Sequence, residues 1–144
     1  MVSETKITVR YAETDRMGIA HHSNYAVWFE AARTDFIRQT GIGYGQMEER
    51  GLLAPLLELE CRFLAPAYYE DQLTVTARVV KLTPVKMEFY YEVYREGEDR
   101  PLCTGKTLHG LVGKDMKPFH IKKEMPDIYE KLEMTVQPQE KPVK

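Results

Sequence analysis

Between Leu57 and Val93 the apolar residues of this 144-residue chain fall on every second position, run after run. Leu57, Leu59, Cys61 and Phe63 alternate with Glu58, Glu60 and Arg62. Leu73, Val75, Ala77 and Val79 alternate with Thr74, Thr76 and Arg78, and Met87, Phe89, Tyr91 and Val93 alternate with Glu88, Tyr90 and Glu92. A period of two places successive side chains on opposite faces of a strand. Each run therefore has one apolar and one polar face, as in an antiparallel sheet wet on one side. Turn residues separate the runs at Ala65-Pro66, Thr83-Pro84 and Glu96 to Asp99. A further run spans Leu102 to Val112, where Gly105 and Gly110 suggest bulges or close backbone approach. Near the N-terminus, Ile7 to Tyr11 alternates in the same way.

One segment has a different period. Tyr25, Trp28, Phe29, Ala32 and Phe36 recur at three- and four-residue spacing, which predicts a helix over 24–40. Ser23 is its expected N-cap and Gly41 its C-cap. Val27, Ala31 and Ile37 extend its apolar surface beyond one stripe. Gln46 to Arg50 suits a helical turn, and Pro126 to Leu132 a short final helix. A sheet with one apolar face must be covered, and the 24–40 helix is the large apolar element at hand. The expected fold is α+β: a five-stranded antiparallel sheet wrapped around one long central helix. Residues 1–133 form one domain in this reading. Residues 134–144, with two prolines, three charges and no period, form a frayed tail.

Composition removes several functions. Twenty Lys and Arg against 22 Asp and Glu leave a net charge of −2, without the basic excess of a nucleic-acid domain. No stretch approaches 18 apolar residues, so no membrane span is expected, and Met1 to Arg10 lacks the apolar core of a secretory signal. Cys61 and Cys103, far apart in sequence, give neither a disulfide framework nor a zinc site and suit a reducing cytoplasm. Gly105-Lys106-Thr107 lacks the first glycine of a phosphate-binding loop, since Arg100 stands there. There is no Gly-x-Ser-x-Gly elbow. Cys103, in a strand, reads as inert. His21 and His22 are adjacent, which gives no metal pair at helical spacing, and no metal is expected.

The stretch Tyr11 to Tyr25 gathers Glu13, Asp15, Gly18, His21 and His22 directly before the helix. A helix N-terminus offers unpaired N–H donors and the positive end of a dipole. Such a place can hold a carbonyl oxygen as it becomes an oxyanion, while a neighbouring carboxylate attacks the carbonyl or deprotonates water. The same residues are equally compatible with an Asp that caps a turn and a His at an ordinary helix start.

Tyr11, Glu13, Asp15, Gly18, Asn24 and Tyr25 together resemble the signature of the hot-dog-fold acyl-CoA thioesterases. The nearest likeness is to the branch of 4-hydroxybenzoyl-CoA and Tol–Pal-associated thioesterases. Phe63 to Ala67 with Glu70-Asp71, and Val112, Asp115, Lys117 and Pro118, resemble that family's later turn and exit. The resemblance implies an acyl-CoA substrate split into carboxylic acid and CoA, and no separate cofactor. It makes Asp15 the catalytic carboxylate, as nucleophile or general base, and His22 the oxyanion donor through its backbone N–H. Met17, Gly18 and Tyr25 would line the substrate site. Lys86 would meet the phosphates of CoA, drawn from a wider set of Lys81, Lys114, Lys117, Lys122 and Lys123. It also implies a homo-oligomer, dimer or tetramer, with the acyl site between subunits. An acyl-carrier-protein or 1,4-dihydroxy-2-naphthoyl-CoA thioesterase would use the same residues. A non-catalytic acyl-CoA-binding protein would keep the pocket and lose the carboxylate. A hot-dog dehydratase would need a histidine in the 24–40 helix, which has none.

Overall fold

The computed structural model describes residues 1–138. Its elements are β1 (Ser3–Thr8), α1 (Ser23–Gln39), α2 (Tyr44–Glu49), β2 (Leu56–Phe63), β3 (Gln72–Leu82), β4 (Lys86–Arg95), β5 (Cys103–Gly110), α3 (Ile121–Glu124) and α4 (Pro126–Glu133). All five strands lie in one antiparallel sheet of order β1-β3-β4-β5-β2. In the middle of the sheet Leu73, Val75, Ala77 and Val79 of β3 and Met87, Phe89, Tyr91 and Val93 of β4 are buried, as their alternation predicts. Among the described residues, no helix is long and apolar enough to cross a membrane.

β1 lies several residues earlier than the apolar pattern indicates. Ser3 and Thr5 are buried on the inner face although they are polar. Their hydroxyls are satisfied: Thr5 Oγ1 donates to Asp35 Oδ2 at 2.6 Å, and Ser3 Oγ to the Ala77 carbonyl at 3.5 Å. A buried hydroxyl with an acceptor costs little, and it leaves no trace in hydropathy. Tyr11, expected at the strand end, is instead exposed in a 3₁₀ turn over Tyr11–Glu13.

The sheet is not closed by one long helix alone. α1, at 17 residues, packs over β1 and β3 and reaches β4. There Phe29 stacks on Tyr91 at 4.4 Å and Phe36 meets Phe89 edge-on at 5.4 Å. α4 adds contacts to β3, and α2 and α3 are short. The reason is width: a helix is about 10 Å across, whereas five strands spaced at about 4.8 Å span about 19 Å. β2, at the far edge, is consequently left open. Leu57, Leu59 and Phe63 are 52%, 46% and 51% exposed, so the apolar face read as core in the sequence is bare on this strand.

Gly105 in β5 meets its expectation of close approach. A Cβ there would run into the Phe29 ring and lie 2.9 Å from the Glu60 carbonyl. Gly110 has ordinary room beside Leu57. Gly41 ends α1 at φ +83°, the left-handed position glycine tolerates. Within the expected tail, Thr135 is buried and the Gln137 N–H donates to the Val79 carbonyl at 2.8 Å. Residues 139–144 lie outside the described residues.

Candidate active site

After the 3₁₀ turn the chain forms a small hairpin over residues 14–20. Thr14 bridges Ala20, the Asp15 N–H donates to the Ile19 carbonyl at 2.9 Å, and the Gly18 N–H donates to the Asp15 carbonyl at 2.9 Å. Gly18 takes φ +78°, the left-handed position that three-residue hairpin loops require. The Asp15 side chain folds over its own turn, Oδ1 accepting from the Met17 N–H at 2.8 Å. Its Oδ2 accepts no hydrogen bond among the described residues. Asp15 is half-buried, while Met17 and Gly18 are exposed at the hairpin tip. Asp15 thus caps a turn and presents a free carboxylate oxygen at once.

The hairpin leads directly into α1. His22, rather than the expected Ser23, occupies the N-cap position, and Ser23 is the first helical residue. The capping acceptor comes from one residue further back: His21 Nδ1 accepts from the Ser23 N–H at 3.2 Å. An imidazole nitrogen replaces the serine hydroxyl, so the usual N-cap preference misplaces the start by one. The His22 N–H donates to no acceptor among the described residues, and its ring is exposed, edge-on to Phe63 at 6.5 Å.

Tyr25 lies deeper. It is 2% exposed, with its ring 4.6 Å from Trp28 and 5.1 Å from Phe63, and burial pushes its hydroxyl up to about 12. Asp15, Met17, Gly18, His22 and Tyr25 therefore share one end of the molecule. Lys86 does not: it pairs with Gly110, whereas Phe63 and Val93 pair with Cys103. Seven steps along β5 put about 24 Å between the two ends. Lys81 pairs with Glu88 beside Lys86, Lys117 bonds back to Gly113 beyond Gly110, and α3, with Lys122 and Lys123, starts from a bond to Pro84. Within one chain the lysines gather at the end opposite Asp15.

Two anchors that support the hairpin were not legible as such in the sequence. One is the loop after β2. Ala20 N–H donates to the Ala67 carbonyl at 2.8 Å and Ile19 bridges Tyr68. Arg95 holds that loop, bonding Asp71 Oδ2 at 3.0 Å and the Pro66 carbonyl at 2.6 Å. The other is Glu13, whose buried carboxylate accepts from the Trp28 indole N–H at 3.0 Å. A Glu next to a known motif is visible in sequence; its partner fifteen residues on is not. Cys61 and Cys103 are diagonal neighbours on β2 and β5. The Cys103 thiol is pushed up by its hydrogen bond with Cys61 and by burial, which keeps it protonated. Among the described residues no three His, Cys, Asp or Glu side chains gather as metal ligands.

Asp15 Oδ2 and the unpaired His22 N–H thus lie on one continuous loop at the end of a five-stranded sheet. Residues 9–132 match the family described as the thioesterase-like superfamily. The chain belongs to that superfamily. Among its solved relatives, a DHNA-CoA thioesterase from Staphylococcus aureus is 34% identical, with a TM-score of 0.87 over 92% of this chain and 89% of that one. The hypothetical protein TT1821 of Thermus thermophilus is 39% identical, with a TM-score of 0.85 over 95% of this chain and 99% of that one. YneP of Bacillus subtilis, provisionally named an acyl-CoA thioesterase, is 34% identical over 127 residues, 88% of this chain and 91% of its own. The superfamily match begins at Val9, where the chain enters the Asp15 hairpin.

Proposed function

We propose that this chain hydrolyses acyl-CoA thioesters to a carboxylic acid and CoA, with α1 as the central helix of a hot-dog fold. The observation that carries the reading is the free Oδ2 of Asp15 on the hairpin that leads to the unpaired His22 N–H at the start of α1. The thioester carbonyl accepts from the His22 N–H, where the helix dipole favours developing negative charge. Asp15 then either takes a proton from a water that attacks the carbonyl carbon or attacks through Oδ2 to form an anhydride that water opens. In both routes the C–S bond breaks and the sulfur leaves as a thiolate. Thiols ionise near about 8.5, so no strong general acid is required to expel it. The reducing cytoplasm suits two neighbouring cysteines that remain thiols.

The acyl group is the finer question. The Tyr11 to Tyr25 motif favours the branch of 4-hydroxybenzoyl-CoA and Tol–Pal-associated thioesterases. The Staphylococcus aureus relative, and a 1,4-dihydroxy-2-naphthoyl-CoA hydrolase of Thermosynechococcus vestitus, 34% identical over 71% of this chain and 70% of its own, favour a hydroxylated aromatic acyl group. An acyl-carrier-protein substrate would meet the same carboxylate. The protein acts as a dimer or larger assembly in this reading. The unpaired edge of β2 pairs with β2 of a second copy, which joins the bare apolar faces of the two strands into one continuous surface. Pairing two β2 strands antiparallel turns one sheet end for end against the other. The lysine end of one copy, Lys86 included, then lies beside the Asp15 end of its partner, where CoA phosphates need a cation.

The test is thiol release from benzoyl-, 4-hydroxybenzoyl-, 1,4-dihydroxy-2-naphthoyl-, acetyl-, butyryl-, hexanoyl- and palmitoyl-CoA by wild type and Asp15→Asn. We expect turnover of at least one thioester and a loss of about a hundredfold or more in the folded variant. Equal activity in the two proteins overturns the role of Asp15. Tight binding of acyl-CoA with no thiol released by wild type overturns hydrolysis in favour of a binding protein.

A further inference from the structure

We propose that Glu13 is a positioning residue for the reaction: through Trp28 it sets where the Asp15 carboxylate stands relative to the N-terminus of α1. The inference rests on the reading of Asp15 as the catalytic carboxylate. Glu13 lies two residues before Asp15 and is nearly fully buried. A buried carboxylate is costly unless donors surround it, and here they come from separate parts of the chain. Oε1 accepts from the Arg10 N–H at 2.8 Å, with the Arg10 guanidinium 3.5 Å away. Oε2 accepts from the Trp28 indole N–H at 3.0 Å. The Glu13 carbonyl accepts from the His21 N–H at 2.8 Å and from Asn24 Nδ2 at 2.9 Å.

One residue therefore joins the exit of β1, the return strand of the hairpin and the second turn of α1. The alternative anchor, the Ala67 and Tyr68 contacts, ties the hairpin to the loop after β2 and not to the helix. Thr14, between Glu13 and Asp15, is extended at φ −94°, ψ 155°. A stiff extended link transmits a shift of Glu13 directly to the carboxylate. The distance between Asp15 Oδ2 and the open His22 N–H is thus governed by bonds that converge on Glu13. Trp28, buried one turn into the helix against Tyr25, is the fixed end of that linkage.

The experiment compares wild type, Trp28→Phe, Glu13→Gln, their double variant and Asp15→Asn on whichever CoA thioester of the panel wild type turns over fastest. Trp28→Phe keeps a ring against Tyr25 but removes the N–H donor together with part of the buried indole, so Glu13→Gln, which keeps the volume, is the control for packing. Glu13→Gln keeps the shape but puts an NH₂ against one of the two N–H donors. kcat, KM and the melting temperature are measured for each. Each single change should lower kcat about ten- to a hundredfold, the scale of a misplacement near 1 Å, with KM within about twofold. The double variant should lose about as much as the larger single, since both break one linkage. Melting remains cooperative. If Trp28→Phe and Glu13→Gln lower the melting temperature but hold kcat within about twofold while Asp15→Asn is inactive, the positioning role is wrong and the Asp15 reading stands. If Asp15→Asn turns over like wild type, both readings fall. Should one single variant not fold, the other carries the same comparison.

Discussion

His109 occupies a place where the direction of every hydrogen bond is determined by its neighbours. Arg33 donates to the Tyr91 hydroxyl at 3.0 Å, and Tyr91 and Thr107 oxygens lie 2.6 Å apart. Thr107 Oγ1 lies 2.9 Å from His109 Nε2, and His109 Nδ1 lies 3.1 Å from the Ala54 carbonyl. A guanidinium can only donate and a carbonyl only accept. The chain therefore runs one way: Arg33 to Tyr91 to Thr107 to His109 to Ala54, with neutral His109 accepting at Nε2 and donating from Nδ1. A second proton would turn Nε2 into a donor and take from the Thr107 hydroxyl the acceptor it has there. Burial, followed by the charge of Arg33, lowers the His109 pKa from about 6.5 to about 4. Between those values the unfolded chain binds a proton that the folded chain refuses. Stability is therefore complete above about pH 6.5 and falls as pH drops toward 4, by up to about 3 kcal/mol from this group. Below that both states are protonated and the loss ceases. Urea unfolding of wild type and His109→Gln at pH 7 and pH 4.5 checks it. The variant should be less stable at pH 7 and should lose less between the two pH values. Equal losses in both proteins would rule His109 out as the source. This histidine reads in sequence as one more polar position on a strand. Its partners stand on β4, α1 and the loop before β2, so its role is a property of the packed molecule.

At the scale of elements, β2 is the strand whose environment one chain leaves unfinished. Its apolar residues face the side on which α1 lies; Tyr25 of α1 meets Phe63 at one end of the strand, while Leu57 and Leu59 stay exposed. The midpoint of β2 falls between Leu59 and Glu60. An antiparallel two-fold pairing of two β2 strands would bring Leu59 close to its own counterpart. Leu59→Glu would then place like charges together in an apolar contact. Sedimentation at micromolar concentration should show wild type as a dimer or larger and Leu59→Glu as a monomer. A monomeric wild type, or an undisturbed variant, removes β2 as the contact. The same strand marks the limit of reading elements from sequence. Period two locates β2, β3 and β4 and tells which residues share a face, because alternation is a local consequence of strand geometry. It cannot say what covers that face. β1 fails differently: Ser3 and Thr5 bury hydroxyls whose acceptors, Asp35 and Ala77, lie on other elements. That Asp15, Gly18 and His22 stand together on one loop before α1 was legible because they are contiguous in the sequence. The Ser23 cap was misplaced because His21 supplies the acceptor instead.

At the scale of the whole molecule, the candidate site residues divide between opposite ends of one sheet. Asp15, His22 and Tyr25 stand near the Cys103 end of β5, and Lys86 stands near Gly110. A CoA thioester presents its carbonyl and its phosphates to one protein surface, so a single chain with ends about 24 Å apart along β5 places them poorly. In the dimer through β2 proposed above, the two-fold axis would reverse the second sheet and pair each Asp15 with the partner's Lys86. Subunit mixing distinguishes this from a site within one chain. Asp15→Asn should be inactive, and Lys86→Glu should lose about tenfold in kcat/KM, the scale of one charged contact. In a mixed dimer the Asp15→Asn subunit still carries Lys86 and the Lys86→Glu subunit still carries Asp15, so one of the two sites is intact. Co-refolding the two variants in equal amounts should restore about a quarter of wild-type kcat/KM, since about half the dimers are mixed and half of their sites are whole. A mixture that gives only the average of the two parents would rule out a site that joins Asp15 of one subunit to Lys86 of the other.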